Sequence, residues 1–455
     1  MEQEDKQYAK MTEEPICRLI TSLAVPTIIA MVATAVYNIA DTYFVSKLGT
    51  RESGAVGVVF SIMAIIQAVG FTIGMGSGTH ISRLLGKKEE EKADQVASSA
   101  ILNGLVMGVI LAAVGLIFTK PIVILIGATD TIIPYAVSYA RYIFLAAPVM
   151  IICFVLDNLL RCQGKAKFSM FGILAGGILN IGLNPLLIFV FDMGVSGAAV
   201  STAVSQCVTV AILILPFLGK KTILHLKRKN LAWNFRVYWD IFKFGLPSLF
   251  RQGLASIAAI LLNRSAAGYG DSALAAMSIV SKIFMIIFAV LIGFGQGYQP
   301  VAGYNYGAGN DKRVKAAFWF TMITGTVIMT ILGALTWFLT PALIRAFISQ
   351  DEQVVEIGTF ALRMQCLATP FTTLGVVSNM TLQAVGKTVS TTILTSTRQG
   401  IFFIPLILIL PLFWGITGLE ITQPIADVLT FFFCIPFMYV FLKNMKKNVD
   451  NTKKK

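Results

Sequence analysis

One carboxylate in this sequence lies inside an apolar run, where an ionisable group is costly. Asp41 occurs in the segment VYNIADTYFV, about six residues before the run ends, or roughly 9 Å at the rise of an α-helix. In a later run Asn180 and Asn184 are spaced i, i+4 and therefore share one face of a helix. Thr202 follows in the next run, at a similar predicted depth, and Tyr37 precedes Asp41 by one helical turn.

This set of side chains predicts a site for a proton or a sodium ion. Carboxylate, amide and hydroxyl oxygens are the ligands that hard cations prefer, and a carboxylate can also take up and release a proton. An ionisable residue inside a membrane is a functional candidate by default. The alternative interpretation is that Asn180, Asn184 and Thr202 only form hydrogen bonds between helices, as polar residues in membranes often do.

The residue types argue against other kinds of active site. The six cysteines form no C-x-x-C pair, and a free cysteine in an apolar run behaves as a small hydrophobic residue. The two histidines, His80 and His225, are far apart, which argues against a zinc site or a Ser-His-Asp triad. Gly386 and Lys387 resemble the end of a P-loop, but Thr381 stands where the earlier glycine is required. We therefore expect no enzyme, no metal centre, no cofactor and no ATP binding.

The composition predicts an all-α integral membrane protein. Of 455 residues, 56% are hydrophobic and only 13% are charged, against about 25% charged residues in soluble proteins. The mean hydropathy is +0.76. A transmembrane helix needs about 20 apolar residues, and twelve such runs can be marked in the sequence. They lie near 19–46, 55–79, 96–118, 134–160, 168–190, 195–217, 241–266, 272–300, 316–339, 356–383, 391–411 and 417–442.

The positions of Lys and Arg predict the orientation. If both termini are cytoplasmic, most of the 37 basic residues fall in cytoplasmic segments, and the external loops hold Lys47, Arg51, Lys120 and Arg345. This distribution follows the positive-inside rule. It also explains the net charge of +14 by contact with anionic lipid, so we expect no nucleic-acid partner.

The two halves of the chain repeat at an offset of 221 residues. Coinciding pairs include Pro26/Pro247, Gly74/Gly295, Gly76/Gly297, Gly86/Gly307 and Gly197/Gly418. Six spans in each half give both halves the same direction through the membrane, with a central cleft between two parallel-repeat lobes. The predicted divisions are an N-terminal lobe 1–218, a basic cytoplasmic linker 219–240, a C-terminal lobe 241–445 and a basic cytoplasmic tail 446–455. Pro26 and Pro247 are predicted bending points, because proline removes an intrahelical hydrogen bond.

The candidate cation site has no counterpart in the second half. At the repeat offset its four positions are occupied by Leu262, Ile401, Pro405 and Gln423. The shared fold therefore does not require the cluster, which favours a function for it.

The second half has buried polar residues of its own. We predict that the substrate cleft is lined by Arg251, Gln252, Lys282 and Met285. Internal ion pairing is the alternative for most of the charged residues in this half, which include Arg398, Glu420 and Asp427.

Four sequence motifs resemble those of the multidrug and toxic compound extrusion (MATE) family, over about residues 15–445. They are GMGSGTHISRLLG at 74–86, RCQGK at 161–165, GVSGAAVST at 194–202 and GYNYG at 303–307. The loops are most similar to the staphylococcal-type multidrug subgroup. The resemblance implies that Asp41 is the coupling acid of the first lobe, with Asn180, Asn184 and Thr202 around it. Position 184 is Asp in some members of the family. The seventh and tenth predicted spans of this sequence lack the acidic residues that some sodium-driven members carry there, which favours protons as the coupling ion.

The expected function is export of amphipathic, often cationic, organic compounds by a cation-coupled antiporter with alternating access. We expect a monomer in the cytoplasmic membrane, driven by H⁺ in preference to Na⁺ and in contact with membrane lipid. A flippase for a lipid-linked or anionic precursor is the main alternative, and a channel is a further one. Arg251 and Lys282 are the residues that favour the flippase.

Overall fold

The long apolar runs form long helices because, in a bilayer, every backbone N–H and C=O must be bonded within its own segment. The structure is a computed structural model that describes residues 2–219, 221–348 and 351–452. Residue 220 of the predicted linker and residues 453–455 of the predicted tail lie outside the described residues. Across the described ranges the secondary structure is helical, without a strand.

The helices are labelled here in chain order. Those of the first half are α1 Glu2–Glu13, α2 Ile16–Ser46, α3 Thr50–Gly86, α4 Glu90–Ile117, α5 Thr119–Leu125, α6 Ile133–Cys162, α7 Ala166–Pro185 and α8 Gly194–Leu218. Those of the second half are α9 Phe235–Ala267, α10 Asp271–Gly307, α11 Asp311–Phe347, α12 Glu352–Ala384, α13 Thr388–Ser396 and α14 Ile404–Thr452. Two π-helical segments, Leu186–Val190 and Thr397–Phe403, follow α7 and α13.

Ten helical stretches within the described residues are long and apolar enough to cross a membrane, whereas the sequence predicts twelve. Helix α12 is not among the ten because its buried face is rich in polar residues such as Gln365 and Thr369. The stretch Thr388–Met445 counts once, although Gly415 interrupts the helix with a φ of 56°. The multi-pass membrane character is confirmed, and the count of twelve stays a prediction.

Helices α2 to α8 pack into one lobe and α9 to α14 into a second, as the sequence predicts. The lobes meet where α2 crosses α10 and where α3 crosses α9 and α10. The predicted domain divisions stay a prediction, since α9 begins at Phe235, inside the predicted linker, and α14 continues to Thr452, inside the predicted tail.

The lobes approach each other closely at two glycines that are repeat mates. A Cβ built on Gly86 of α3 would overlap the carbonyl oxygen of Tyr304 on α10, and one built on Gly307 would overlap that of Arg83 on α3. The contact is symmetric, since Arg83 and Tyr304 are also 221 residues apart. Only glycine allows two helix backbones this close. Lys87 and Lys88 follow Gly86 directly, and Lys312 and Arg313 lie in the first turn of α11 after Gly307, so the lobes are closed at what we call the basic end.

Helix α1 lies across the basic end and contacts both lobes. The Gln7 side-chain amide donates a hydrogen bond of 2.9 Å to the backbone oxygen of Gln163 in the first lobe. In the second lobe, the Asn305 amide donates one of 3.0 Å to the backbone oxygen of Met11. Met11 itself is fully buried. By bridging the lobes, α1 stabilises the closed basic end.

The predicted linker is bound to the first lobe. The Asp94 carboxylate accepts a hydrogen bond of 2.7 Å from the backbone N–H of His225. The Gln163 side-chain oxygen accepts bonds of 2.9 and 3.1 Å from the N–H groups of Ile223 and Leu224. The first part of the linker is therefore attached to the first lobe, and only its remaining residues are left to connect the two lobes.

Pro26 is buried inside α2, and its repeat mate Pro247 lies inside α9. Next to Pro26, α2 touches the other lobe, because a Cβ on Gly297 of α10 would overlap the Ala24 backbone. We expect Pro26→Ala to restore a backbone hydrogen bond, straighten α2 and shift the balance between the two access states. The measurements are transport rate and cysteine accessibility between the lobes, with Pro216→Ala in α8 as control. Wild-type values of both in Pro26→Ala would contradict the bending role.

Candidate functional site

A continuous chain of hydrogen bonds joins α2, α7 and α8. The Asn184 side-chain nitrogen donates to Asp41 Oδ1 at 2.8 Å and to Asn180 Oδ1 at 3.3 Å. The Asn180 nitrogen in turn lies 3.4 Å from the hydroxyl oxygens of both Ser201 and Thr202. The structure thus brings together the four residues that the sequence places at one depth. Ser201 is an additional member, on the same turn of α8 as Thr202.

Small residues on α7 allow the three helices to come this close. A Cβ on Gly177 would lie 3.2 Å from a ring carbon of Tyr37 on α2, so the tyrosine ring packs against bare backbone. On the neighbouring face, a Cβ on Gly176 would overlap the hydroxyl of Thr209 on α8. Asn180 and Asn184 lie one and two turns further along the same helix. Helix α7 is therefore the element that positions the cluster.

One acceptor in the cluster is free. Asn184 Oδ1 is buried and has no hydrogen-bond partner within the described part of the chain. Pro185 follows directly, and the helix then widens into the π-helical segment Leu186–Val190, a distortion that is frequent at functional sites. A buried acceptor without a donor is unfavourable, and a cation or a proton donor beside Asp41 would satisfy it. Among the described residues, no group of three His, Cys, Asp or Glu side chains could hold a resident metal ion.

A cavity of about 190 Å³ lies beside the cluster and is lined by the first lobe, apart from one residue of α9. We call it the first-lobe cavity. Tyr37, Asn180 and Thr202 line it. Asp41 and Asn184 do not line it and lie one hydrogen bond further away, with Asp41 half-buried and Asn184 fully buried. The Asp41 carboxylate is thus linked to this cavity by hydrogen bonds through the side-chain amides of Asn184 and Asn180.

A different carboxylate, Asp157, does line the first-lobe cavity, and the sequence analysis missed it. Asp157 of α6 pairs with Arg161 one turn later, with 2.6 Å between Oδ2 and Nη2 and both side chains 5% exposed. Asp157 also accepts a hydrogen bond from Ser169, and Arg161 donates one to Gln296 of the second lobe. The sequence signal that could have revealed this pair is the i, i+4 spacing of an acidic and a basic residue inside an apolar run. Asp157 is thus neutralised, whereas Asp41, which lies behind the cavity wall, has no cationic partner among the described residues.

A cavity of about 290 Å³, which we call the central cavity, is lined mostly by the second lobe, with Met31 and Phe71 contributed by the first. Of the predicted cleft residues, Arg251 and Gln252 line it. Lys282 and Met285 line neither this cavity nor the first-lobe cavity, and Met285 is 39% exposed. The reason is their height on α10, because this helix first reaches the cavity at Phe288, closer to the basic end.

The central cavity also contains a paired acid and base. Arg398 Nε lies 2.7 Å from Asp427 Oδ1, and both residues line the cavity. Asp427 accepts two further hydrogen bonds, of 2.8 Å from Gln365 and 2.9 Å from Gln423. The Arg398 guanidinium lies over the Phe288 ring, 4.2 Å from its centre. This is the internal ion pairing that the sequence analysis gave as the alternative for charged residues of the second half.

One protein-family model, MatE, matches the chain twice, over residues 26–186 and 247–409. The chain belongs to the MatE family. The two matched segments begin at Pro26 and Pro247, which are repeat mates at the offset of 221 residues. The family resemblance drawn from the motifs is therefore confirmed, and with it the internal repeat.

Other MatE proteins resemble the chain over nearly its whole length. The multidrug export protein MepA of Staphylococcus saprophyticus is 30% identical over 426 residues, which cover 93% of this chain and 94% of that protein. A crystal structure of a MATE protein in complex with MaL6 superposes with a TM-score of 0.93 at 25% identity, covering 97% of this chain and 99% of that one. An outward-facing multidrug resistance transporter of the MATE family gives 0.92 at 25% identity, covering 96% and 98%. This MatE protein is therefore a multi-pass protein of the cell membrane.

Replacing Asn184 of this MatE protein with alanine is expected to slow coupled transport about fivefold, since one hydrogen bond to Asp41 contributes about 1 kcal/mol. Asn180→Ala should have a smaller effect, because Asn180 does not touch the carboxylate. Initial rates in reconstituted vesicles provide the measurement, with Asn38→Ala on the same helix as Asp41 as control. Complete loss of transport in Asn180→Ala would show that the amide is essential, contrary to this ranking.

Proposed function

We propose that this protein exports amphipathic organic compounds, often cationic ones, in exchange for a cation that enters at Asp41. The supporting observation is the hydrogen-bonded set of Asp41, Asn184 and Asn180 in the first lobe. At the repeat offset the second lobe has Leu262 in place of Asp41, so the fold does not require the acid. The export of multiple drugs is named for the relative MepA, and that name supports the same substrate class here.

The coupling ion that we favour is the proton, because Asn184 can serve both protonation states of Asp41. As a carboxylate, Asp41 accepts the hydrogen bond of 2.8 Å from the Asn184 amide. Once protonated, Asp41 becomes a donor, and an amide that turns over would present its free Oδ1 as the acceptor. One asparagine would thus stabilise both the loaded and the unloaded form. Sodium is the other candidate and would use the same oxygens.

Alternating access is the mechanism that we propose for the export step. Closure at the basic end by Gly86, Gly307 and α1, with cavities further from that end, supports an outward-directed state. Separation of α3 and α10 at Gly86 and Gly307 would open the cleft at the basic end. Because Asp41 lies on α2, which crosses α10 of the other lobe, cation binding there is placed to bias this movement.

The flippase alternative has less support than the sequence suggested. It depended on Arg251 and Lys282 facing one cleft, and only Arg251 lines the central cavity. The central cavity therefore does not have the row of cationic side chains that a large anionic precursor would require. A channel would lack saturable counterflow, which makes it separable by experiment.

We further propose the orientation and location that follow from the basic residues. Both termini and the linker 219–240 would be cytoplasmic, in a cytoplasmic membrane, with lobes 1–218 and 241–445 and a basic tail 446–455. The protein would act as a monomer on small organic molecules, without ATP, a cofactor or a nucleic-acid partner. Positively charged cytoplasmic segments beside anionic lipid support this orientation.

The proposed function is tested in proteoliposomes that contain ethidium as the transported dye. A pH gradient and a sodium gradient are imposed separately, and ethidium movement is followed by fluorescence. We expect movement with the pH gradient, saturation with dye concentration and counterflow. A response to sodium alone would reassign the ion, and no response to either gradient would overturn coupled export. Drug susceptibility of a pump-deficient host, with and without an uncoupler, gives the matching cellular test.

A further inference from the structure

Arg251 projects from α9 into the central cavity and forms no ion pair with any described carboxylate. Its Nη2 lies 3.6 Å from the sulfur of Met75, which is a weak acceptor. Its guanidinium carbon lies 5.8 Å from the centre of the Phe71 ring. A guanidinium carries five N–H donors, and a charge in an apolar cavity is costly unless it is paired. Arg251 therefore lacks the strong acceptor that its chemistry requires.

The acids of the two cavities are already engaged. Asp427 is bound by Arg398 at 2.7 Å and by two glutamine amides. Asp157 is bound by Arg161 at 2.6 Å. The central cavity consequently presents two guanidinium groups and one carboxylate. The excess positive charge is that of Arg251, so the missing partner of this cavity is an anion.

The remaining wall suits the apolar body of a ligand. Phe71 and Phe288 contribute aromatic rings, and Met31 and Met380 contribute flexible thioethers that adapt to varied shapes. The volume of about 290 Å³ has room for a molecule of one or two rings. Phe71 lies close to the guanidinium as well. An apolar body and an anionic group would therefore bind side by side.

We propose that the central cavity binds amphipathic molecules that carry a carboxylate, with the carboxylate paired to Arg251 and the apolar body against Phe71 and Phe288. This inference deepens the proposed function and rests on it, because it adds acids and zwitterions to the exported class. The planar guanidinium matches a carboxylate with two parallel hydrogen bonds. A ligand whose only charge is positive gains no such pair at Arg251. Lipid phosphates share this oxyanion chemistry, and the test separates them.

The test compares dansylglycine with dansylglycinamide, which have nearly the same size and differ by one negative charge. Binding is followed by dansyl fluorescence on the purified full-length protein in phosphatidylcholine nanodiscs. We expect the acid to bind about tenfold more tightly than the amide, as one charge-assisted pair allows. Arg251→Gln should remove this preference, and Arg251→Lys should retain part of it. Arg264→Gln, at the exposed end of the same helix, should behave as wild type.

Equal binding of the two probes, or binding of neither, would overturn the inference. Loss of dansylglycine binding in nanodiscs enriched in phosphatidylglycerol would assign the cavity to anionic lipid instead. The proposed function fails separately, if no compound moves under either gradient in proteoliposomes. Gradient-driven export without any preference for the acid would leave the proposed function standing and reject the carboxylate site alone.

Discussion

Asp41→Asn is expected to reduce gradient-driven export to the level of empty vesicles while the protein still inserts and folds. Asparagine keeps the size of the side chain and a partner for Asn184, but it cannot take up a proton and it carries no charge to hold a cation. Removal of an intramembrane charge lowers the cost of insertion, so expression should not fall. The measurement is dye movement in proteoliposomes under separate pH and sodium gradients, together with dye binding, which should persist.

The matched control is Asp130→Asn, the same change at an exposed loop position, which should transport as wild type. Full export by Asp41→Asn under the driving gradient would place the coupling ion elsewhere. Glu420 of α14, which is 6% exposed and forms no ion pair with the described residues, would then be the next candidate, followed by Asp427.

Gly86→Ala is expected to prevent closure of the basic end and so to stop transport of every substrate. The added Cβ would overlap the carbonyl oxygen of Tyr304, a backbone atom that cannot rotate away as a side chain would. The protein can relieve this overlap by separating α3 from α10, which favours the opposite access state. Spin labels at Lys87, just after α3, and at Lys312, in the first turn of α11, should show a longer mean distance than in the wild type.

Two further variants make this result specific. Gly307→Ala should have the same effect, because its Cβ would overlap the Arg83 carbonyl in the symmetric contact. Gly253→Ala in α9 should have none, since its Cβ would meet nothing within 4 Å. A wild-type distance together with a wild-type transport rate in Gly86→Ala would contradict the role of this crossing in the transport cycle.

The cluster of Asp41, Asn180, Asn184 and Thr202 was predictable from sequence because short-range rules determine it. The i, i+4 spacing puts Asn180 and Asn184 on one face of a helix, and the distance from the end of a span gives the depth of Asp41. The fold was predictable for a related reason, since long apolar runs and a constant repeat offset are both one-dimensional patterns. Each feature is readable without knowledge of which helices are neighbours.

Features that depend on contacts between lobes were not predictable. Lys282 and Met285 were placed in the cleft by residue type, yet α10 reaches the central cavity only at Phe288. The height at which two lobes separate depends on how helices cross, which the order of residues within one helix does not reveal. Arg161 shows the same limit, because it belongs to a loop motif in the sequence and is buried against Asp157 and Gln296 in the structure.

The contacts of α1 with both lobes constrain the order in which the newly made chain can fold. This helix is made before the two lobes, and Asn305, which binds the Met11 backbone, is synthesised 294 residues after Met11. At about 5–20 residues per second, the ribosome needs on the order of tens of seconds to reach it. Until then α1 has only the first-lobe half of its binding surface, which includes the backbone of Gln163. A nascent chain therefore completes the contacts of α1 at the basic end only after α10 of the second lobe has been made.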